Sequence, residues 1–158
     1  KANGVITAGN SSQISDGAAA LLVVSENIVN KYNLEPIAKI KSMAVVGTDP
    51  VLMLSGPIPA TIKALEQAKL KPEDINIAEI NEAFSSVVGA WRKEFPEINY
   101  ENVNANGGSI AIGHPLGATG ARLMTNLIHE MKRNKFKYGL QAICEGGGTA
   151  NATIVELV

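Results

Sequence analysis

A chain of 158 residues is long enough to bury one sizeable core, and 46% hydrophobic with 18% charged residues reads as an ordinary soluble globular protein. The formal net charge of −1 gives no attraction for nucleic acid or an anionic membrane, so neither is an expected partner. A single cysteine excludes an internal disulfide, which fits a reducing compartment, and no apolar run nears the ~20 residues that span a bilayer. No targeting pattern is visible; because the chain opens at Lys1 without methionine and runs straight into strand-like sequence, a longer natural N-terminus is expected.

Residues 5–8 (Val-Ile-Thr-Ala) are β-prone and end at the turn former Gly9-Asn10. Residues 18–24 (Ala-Ala-Ala-Leu-Leu-Val-Val) form an apolar run of strand length that needs burial on both faces. A short helix is expected over 26–32 and a strand over 37–46, closed by Gly47 and Asp49-Pro50. Pro57-Ile-Pro59 introduces a helix over about 60–70 with Ile62, Leu65 and Ala68 on its apolar face; a strand over 75–80 follows. The clearest helix is 82–95, where Phe84, Val87, Val88, Trp91 and Phe95 fall at i, i+3, i+4, i+7 and i+11. A last helix over 115–133 presents Ala121, Met124, Leu127, Ile128 and Met131. Two strands, 139–144 and 150–157, flank a triple glycine as a hairpin. The order β-α-β-α-β-α-β-β predicts an α/β fold with a mixed sheet and helices on both faces.

Two loops concentrate the chemistry. Asn104-Ala-Asn-Gly-Gly-Ser-Ile-Ala-Ile-Gly-His114-Pro-Leu-Gly-Ala-Thr-Gly120 and Cys144-Glu-Gly-Gly-Gly148 hold eight of the 15 glycines, the only cysteine and one of two histidines. Glycine lets backbone approach a ligand closely. The spacing is not a P-loop, because His114-Pro115 stands where Lys and Ser/Thr must grip phosphate, and it misses the dinucleotide fingerprint. One Cys and two His cannot close a zinc site, so no metal is expected. His114, directly before Pro115 at a helix start, is either a structural histidine or a neutral imidazole able to accept a proton. Cys144 is either a small buried hydrophobe or an acid/base thiol beside exposed glycine amides. Asn81 reads as an N-cap, with Glu82 in the first turn, or as an amide aimed at substrate. His129 and the Lys132-Arg133-Asn-Lys135-Phe-Lys137 run read as surface groups at a helix end.

Asn81-Glu-Ala-Phe84, the His114 stretch and Cys144-x-Gly-Gly-Gly resemble the C-terminal half of a thiolase, an acyl-CoA:acetyl-CoA C-acyltransferase, and Thr7–Gly17 and Gly56-Pro-Ile-Pro59 resemble further thiolase segments. The resemblance runs from about Val5 to Val158. Related condensing enzymes carry a second active-site histidine; Asn81 and Cys144 in the matching places favour thiolase.

The resemblance implies a βαβαβαββ half of a five-layered body, with residues 1–33 a closing segment of the N-terminal half and 34–158 the C-terminal domain. It implies reversible Claisen condensation and thiolysis of 3-ketoacyl-CoA through a cysteine acyl-enzyme, with coenzyme A thioesters as substrates and no other cofactor. His114 would activate the nucleophilic cysteine and bind the thioester oxygen through Nε2. Asn81 would hold a water completing that site, Cys144 would act as base and acid at the α-carbon, and the Gly146 amide would face the acyl-enzyme oxyanion. Ser12 and Phe84 would line the pantetheine pocket. A cytoplasmic homo-oligomer is implied, with mitochondrial or peroxisomal location left open, and an N-terminal half as partner. The family's nucleophilic cysteine belongs to that first half, so the isolated chain is expected to be inactive. Glu145 and Thr149-Ala150 depart from the family's usual small or apolar residue and later glycine. Two rivals are a non-catalytic thiolase-like module that binds coenzyme A or a subunit, and a small ligand-binding domain with purely structural glycine turns.

Overall fold

The computed structural model describes residues 3–158, so Lys1 and Ala2 of the expected closing segment lie outside the described residues. One mixed sheet organises the chain, built from β1 (Ala38–Gly47), β2 (Ile77–Ile80), β3 (Tyr138–Glu145) and β4 (Thr149–Leu157) in the order β1-β4-β3-β2. The expected hairpin forms: β3 and β4 pair antiparallel, β4 pairs antiparallel with β1, and β2 runs parallel to β3. The helices are α1 (Glu26–Tyr32), α2 (Pro57–Ala68), α3 (Ser85–Glu94), α4 (Ser109–Ile112) and α5 (Thr119–Asn134).

Alternation along the strands assigns each helix to a face. Ala142 and Leu140 of β3 with Ala150, Ala152 and Ile154 of β4 pack against Ala60, Ala64 and Leu65 of α2, and Val88, Trp91 and Phe95 of α3 complete that core. On the opposite face, Ile77 and Val155 pack against Leu127 and Met131 of α5. Gly139 lets α5 approach there, since a Cβ would meet the Met131 sulfur at 2.4 Å. The expected fold class, an α/β unit with a mixed sheet covered by helices on both sides, is the one observed. No helix among the described residues is long and apolar enough to cross a membrane.

Several expectations need correction. Residues 5–8 and 18–24 form no strand, and every side chain from 18 to 24 is exposed, because no described strand lies beside them to accept their hydrogen bonds or cover their faces. Ile62 is exposed. The buried residue is its neighbour Thr61, whose hydroxyl accepts from Trp91 Nε1 at 3.0 Å. Helix α3 starts at Ser85 rather than 82, with Phe84 at its N-cap. Helix α5 starts at Thr119 rather than 115, since residues 115–118 are spent in a turn closed onto the Pro115 carbonyl. Its buried stripe therefore includes Leu123, while Met124 and Ile128 are only partly covered.

Candidate active site

Parallel pairing brings distant sequence to one edge of the sheet. Ile80 is in register with Ala142, and the Asn81 amide donates to the Ala142 carbonyl at 2.9 Å, so Asn81 and Cys144 emerge at the same carboxyl end of β2 and β3. Ligands of open α/β sheets gather at such ends. The chain beyond Val103 closes the free edge of β2: Val103 bridges Ala78, and the Asn104 side chain accepts from Ile80 N at 2.8 Å and donates to Ile80 O at 2.9 Å. Helix α4 then delivers Gly113 and His114 back to the same edge.

The segment near the start of the chain stitches these pieces together. Ser11 bridges Phe84, Ser12 N donates to the Ala83 carbonyl at 2.9 Å, Ile14 bridges His114, and His114 N donates to the Gln13 carbonyl at 2.7 Å. Gly113 sits at φ +84°, and a Cβ there would meet Ser15 Oγ at 2.4 Å, so only glycine fits the step into His114.

His114, Cys144, Gly146, Ser12 and Phe84 line one cavity of about 620 Å³, joined by Ile14, Met53, Leu54, Thr119, Glu145 and Asn151. Asn81 is not part of its wall. It lies behind Cys144, 1% exposed, with its Oδ1 accepting from Ser109 Oγ at 3.0 Å and its Nδ2 unpaired among the described residues. The capping reading of Asn81 is thereby overturned, because α3 starts four residues later and the Asn81 side chain turns to Ser109 instead. Glu82 likewise leaves α3, its Oε2 accepting from Ile110 N of α4 at 3.1 Å.

The state of the histidine follows from its partners. Thr119 Oγ1 lies 2.7 Å from His114 Nδ1 and 2.9 Å from the Pro115 carbonyl, so Nδ1 is engaged from within the fold and Nε2 is the ring nitrogen left without a hydrogen-bond partner among the described residues. Burial lowers the His114 pKa below its ordinary value and the nearby Arg122 guanidinium lowers it further, so the ring is neutral at pH 7. The ring rests against Thr119, the first residue of α5. Burial pushes the Cys144 thiol pKa up and Glu145 adds to this, against lowering by a backbone hydrogen bond and by Asn81. The pair is therefore a neutral imidazole with one free ring nitrogen and a thiol that keeps its proton.

Glu145 is held across the hairpin by Thr149 Oγ1 at 3.0 Å and Asn151 Nδ2 at 2.5 Å. The two departures from the family pattern are thus partners of each other. Sequence reasoning missed Thr119, Arg122, Met53 and Leu54. For Thr119 a signal existed, a hydroxyl five residues after the histidine across a Pro-x-Gly turn. Met53 and Leu54 lie on a loop with no motif to mark it. His129 is exposed on α5 and is not part of the cavity.

A sequence model described as the thiolase C-terminal domain matches residues 34–157, and one described as the thiolase N-terminal domain matches residues 1–27. A steroid 3-ketoacyl-CoA thiolase of Mycobacterium tuberculosis is 54% identical over 97% of this chain, which covers 37% of that protein. An acetyl-CoA acetyltransferase crystal structure from Bacillus anthracis superposes with a TM-score of 0.93 at 42% identity, over 97% of this chain and 39% of that one. Human mitochondrial 3-ketoacyl-CoA thiolase in complex with CoA gives a TM-score of 0.89 at 36% identity, over 99% of this chain and 39% of that one. The chain thus spans about two fifths of the length of the relatives it matches.

Proposed function

The chain belongs to the thiolase family, and from that premise we propose that it forms the C-terminal catalytic portion of an acyltransferase acting on 3-ketoacyl-CoA. Residues 34–158 would be the C-terminal domain and residues 1–33 a closing segment of an N-terminal half. The observation that carries this reading is the convergence of His114, Cys144 and the Gly146 turn on one cavity, whose wall holds a neutral imidazole and a protonated thiol.

The roles follow from the protonation states. His114 Nε2 accepts the proton of a nucleophilic thiol from the N-terminal half, and the resulting Nε2–H donates to the thioester oxygen. Asn81, with its Nδ2 free, stands behind this point. In thiolysis Cys144 gives its proton to the enolate carbon of departing acetyl-CoA; in synthesis it removes that proton. A raised thiol pKa suits an acid that must hold its proton until the carbanion forms. The Gly146 amide faces the oxyanion of the acyl-enzyme. Ile14, Met53 and Leu54 give the acyl chain an apolar wall, and Ser12 and Phe84 flank the pantetheine arm. Coenzyme A thioesters are the substrates and no further cofactor enters. A homo-oligomer in the cytoplasm completes the proposal.

Acetoacetyl-CoA and coenzyme A, with loss of thioester followed optically, test it. The isolated chain should be inert, because Cys144 is its only thiol. The protein joined to an N-terminal half should turn over, and His114→Ala or Cys144→Ser should each abolish turnover. Thiolysis by the isolated chain that depends on Cys144 would contradict the assignment of Cys144 as acid and base. A second reading, a non-catalytic module that binds coenzyme A or a subunit, draws on the buried, protonated state of the single thiol. It predicts that Cys144→Ser leaves the joined protein unchanged.

A further inference from the structure

Most buried polar atoms without partners among the described residues fall in one region: both oxygens of Glu79, Nδ2 of Asn81, and Nε and Nη2 of Arg122. Glu79 on β2 and Asn81 directly after its end are two apart and so share a face, the face against which α5 packs through Ile77, Leu127 and Met131. Arg122 lies on the first turn of α5. Its one engaged nitrogen, Nη1, donates to the Gly113 carbonyl at 2.8 Å and the Ile112 carbonyl at 3.3 Å, the two carbonyls that immediately precede His114.

Those carbonyls close the end of α4, and no regular helical bond satisfies them there. The guanidinium thus fastens the main chain one residue before the imidazole, at the point where Gly113 leaves no alternative path. The Gln13 carbonyl fastens the His114 amide and Thr119 fastens Nδ1. Three anchors from two segments, the stretch around Gln13 and the first turn of α5, hold one ring. Arg122 is the only one of them that is also charged, and no carboxylate forms an ion pair with it among the described residues.

We propose that Arg122 is a positioning residue of the site, fastening the backbone that leads into His114 and presenting its charge to the ring from behind. The reading rests on His114 as the site's proton acceptor. The other charged or titratable groups about this pair are Glu79 on β2, Glu130 on α5 beyond it, Cys144 and Glu145 across the cavity, and Asp16 on the segment bridged to His114 through Ile14. Arg122 is the named charge that lowers the ring's proton affinity, after burial itself. A lysine at 122 would keep the charge, but its stem is one atom shorter and lacks the planar guanidinium that holds Nη1 against the two carbonyls; a glutamine would lose the charge.

The test uses the full protein carrying this chain, in a His129→Gln background that leaves His114 as the chain's single histidine. The imidazole is titrated by heteronuclear NMR, and steady-state kinetics are measured on acetoacetyl-CoA. In Arg122→Gln the ring pKa should rise by about half a unit or more, and in Arg122→Lys it should stay near the parent value. Both variants should lose about tenfold or more in kcat with KM within about threefold, because geometry rather than substrate affinity is disturbed. An unchanged ring titration in Arg122→Gln, or a kcat in Arg122→Lys equal to the parent's, overturns the proposal. If Arg122→Gln fails to fold, the kcat and KM of Arg122→Lys decide alone. The titration needs no turnover, so a protein that is not an acyltransferase would fail the kinetic arm for every variant and parent alike while still reporting on Arg122.

Discussion

Gly146 is a glycine for neither of the usual internal reasons. Its φ is not in the left-handed region, unlike Gly147 at +79° and Gly148 at +84°, and a Cβ built on it meets nothing within 4 Å. It lines the cavity, so a requirement for glycine here points outward, to a substrate that comes close to its amide. Gly146→Ala should therefore keep its melting temperature within about 2 °C while the joined protein loses about a hundredfold in kcat/KM; a variant that melts early, or works normally, removes Gly146 from the oxyanion site. Glu79 poses a different residue-scale question. Fully buried, it has its pKa raised from 4.5 to about 8 by desolvation, with Arg122 pulling it down and Glu130 pushing it up. The folded value lies above the unfolded one, so between pH 4.5 and 8 the folded state holds a proton that the unfolded chain has released. Stability is then full below pH 4.5 and falls as pH rises toward 8, by up to about 1.4 kcal/mol per pH unit. Urea midpoints at pH 5 and pH 8 should differ in the parent and converge in Glu79→Gln. Parallel shifts in the two proteins would place the titration elsewhere.

At the scale of elements, α2 and α3 meet through a bond that neither helix announces. Trp91 is 1% exposed and stacks on Phe95 with ring centroids 5.0 Å apart, and its indole N–H reaches Thr61 Oγ1. Thr61→Val keeps the shape and strands that donor, which costs about 1–3 kcal/mol, whereas Thr61→Ser should remain near the parent. Denaturant midpoints with an unchanged slope check this. The same pair shows where sequence reasoning ends. The α3 stripe was legible because Val87, Val88, Trp91 and Phe95 repeat with the helical period, and β3 and β4 were legible because glycines punctuate apolar runs. Thr61 in place of Ile62 was not, since a threonine is buried there only to answer an indole thirty residues away. The start of α5 was misplaced for a related reason: Pro115 fits a first helical position locally, but the turn that binds its carbonyl to Thr119 also fixes the His114 ring. At the site, types and loops could be read from the chain, and so could the meeting of His114 and Cys144 in one cavity. Thr119 left a signal in its spacing from His114 that went unread, whereas Arg122 left none, because it acts through two backbone carbonyls whose positions exist only once the chain has folded.

For the whole molecule, the described residues leave several apolar stretches without cover. Leu22 and Val23 are 81% and 71% exposed, α1 buries none of its residues, and Met43 and Val45 of β1 stand at 62% and 64% on the sheet side away from α2. Single exposed apolar residues are ordinary, but a run of seven in residues 18–24 is the kind of surface that proteins cover. An N-terminal half is the occupant that the proposed function supplies. Taken alone, the chain should therefore self-associate as its concentration rises, and Leu22→Lys with Val23→Glu should weaken that association without lowering the melting temperature, since neither side chain has packing to lose. Joined to an N-terminal half, the parent should elute as a discrete species, and the same double variant should lose activity by failing to dock. Light scattering across a concentration series decides the matter. A parent chain that stays monomeric at the highest concentration would mean that this strip is self-sufficient, and the docking role proposed for residues 1–33 would go with it.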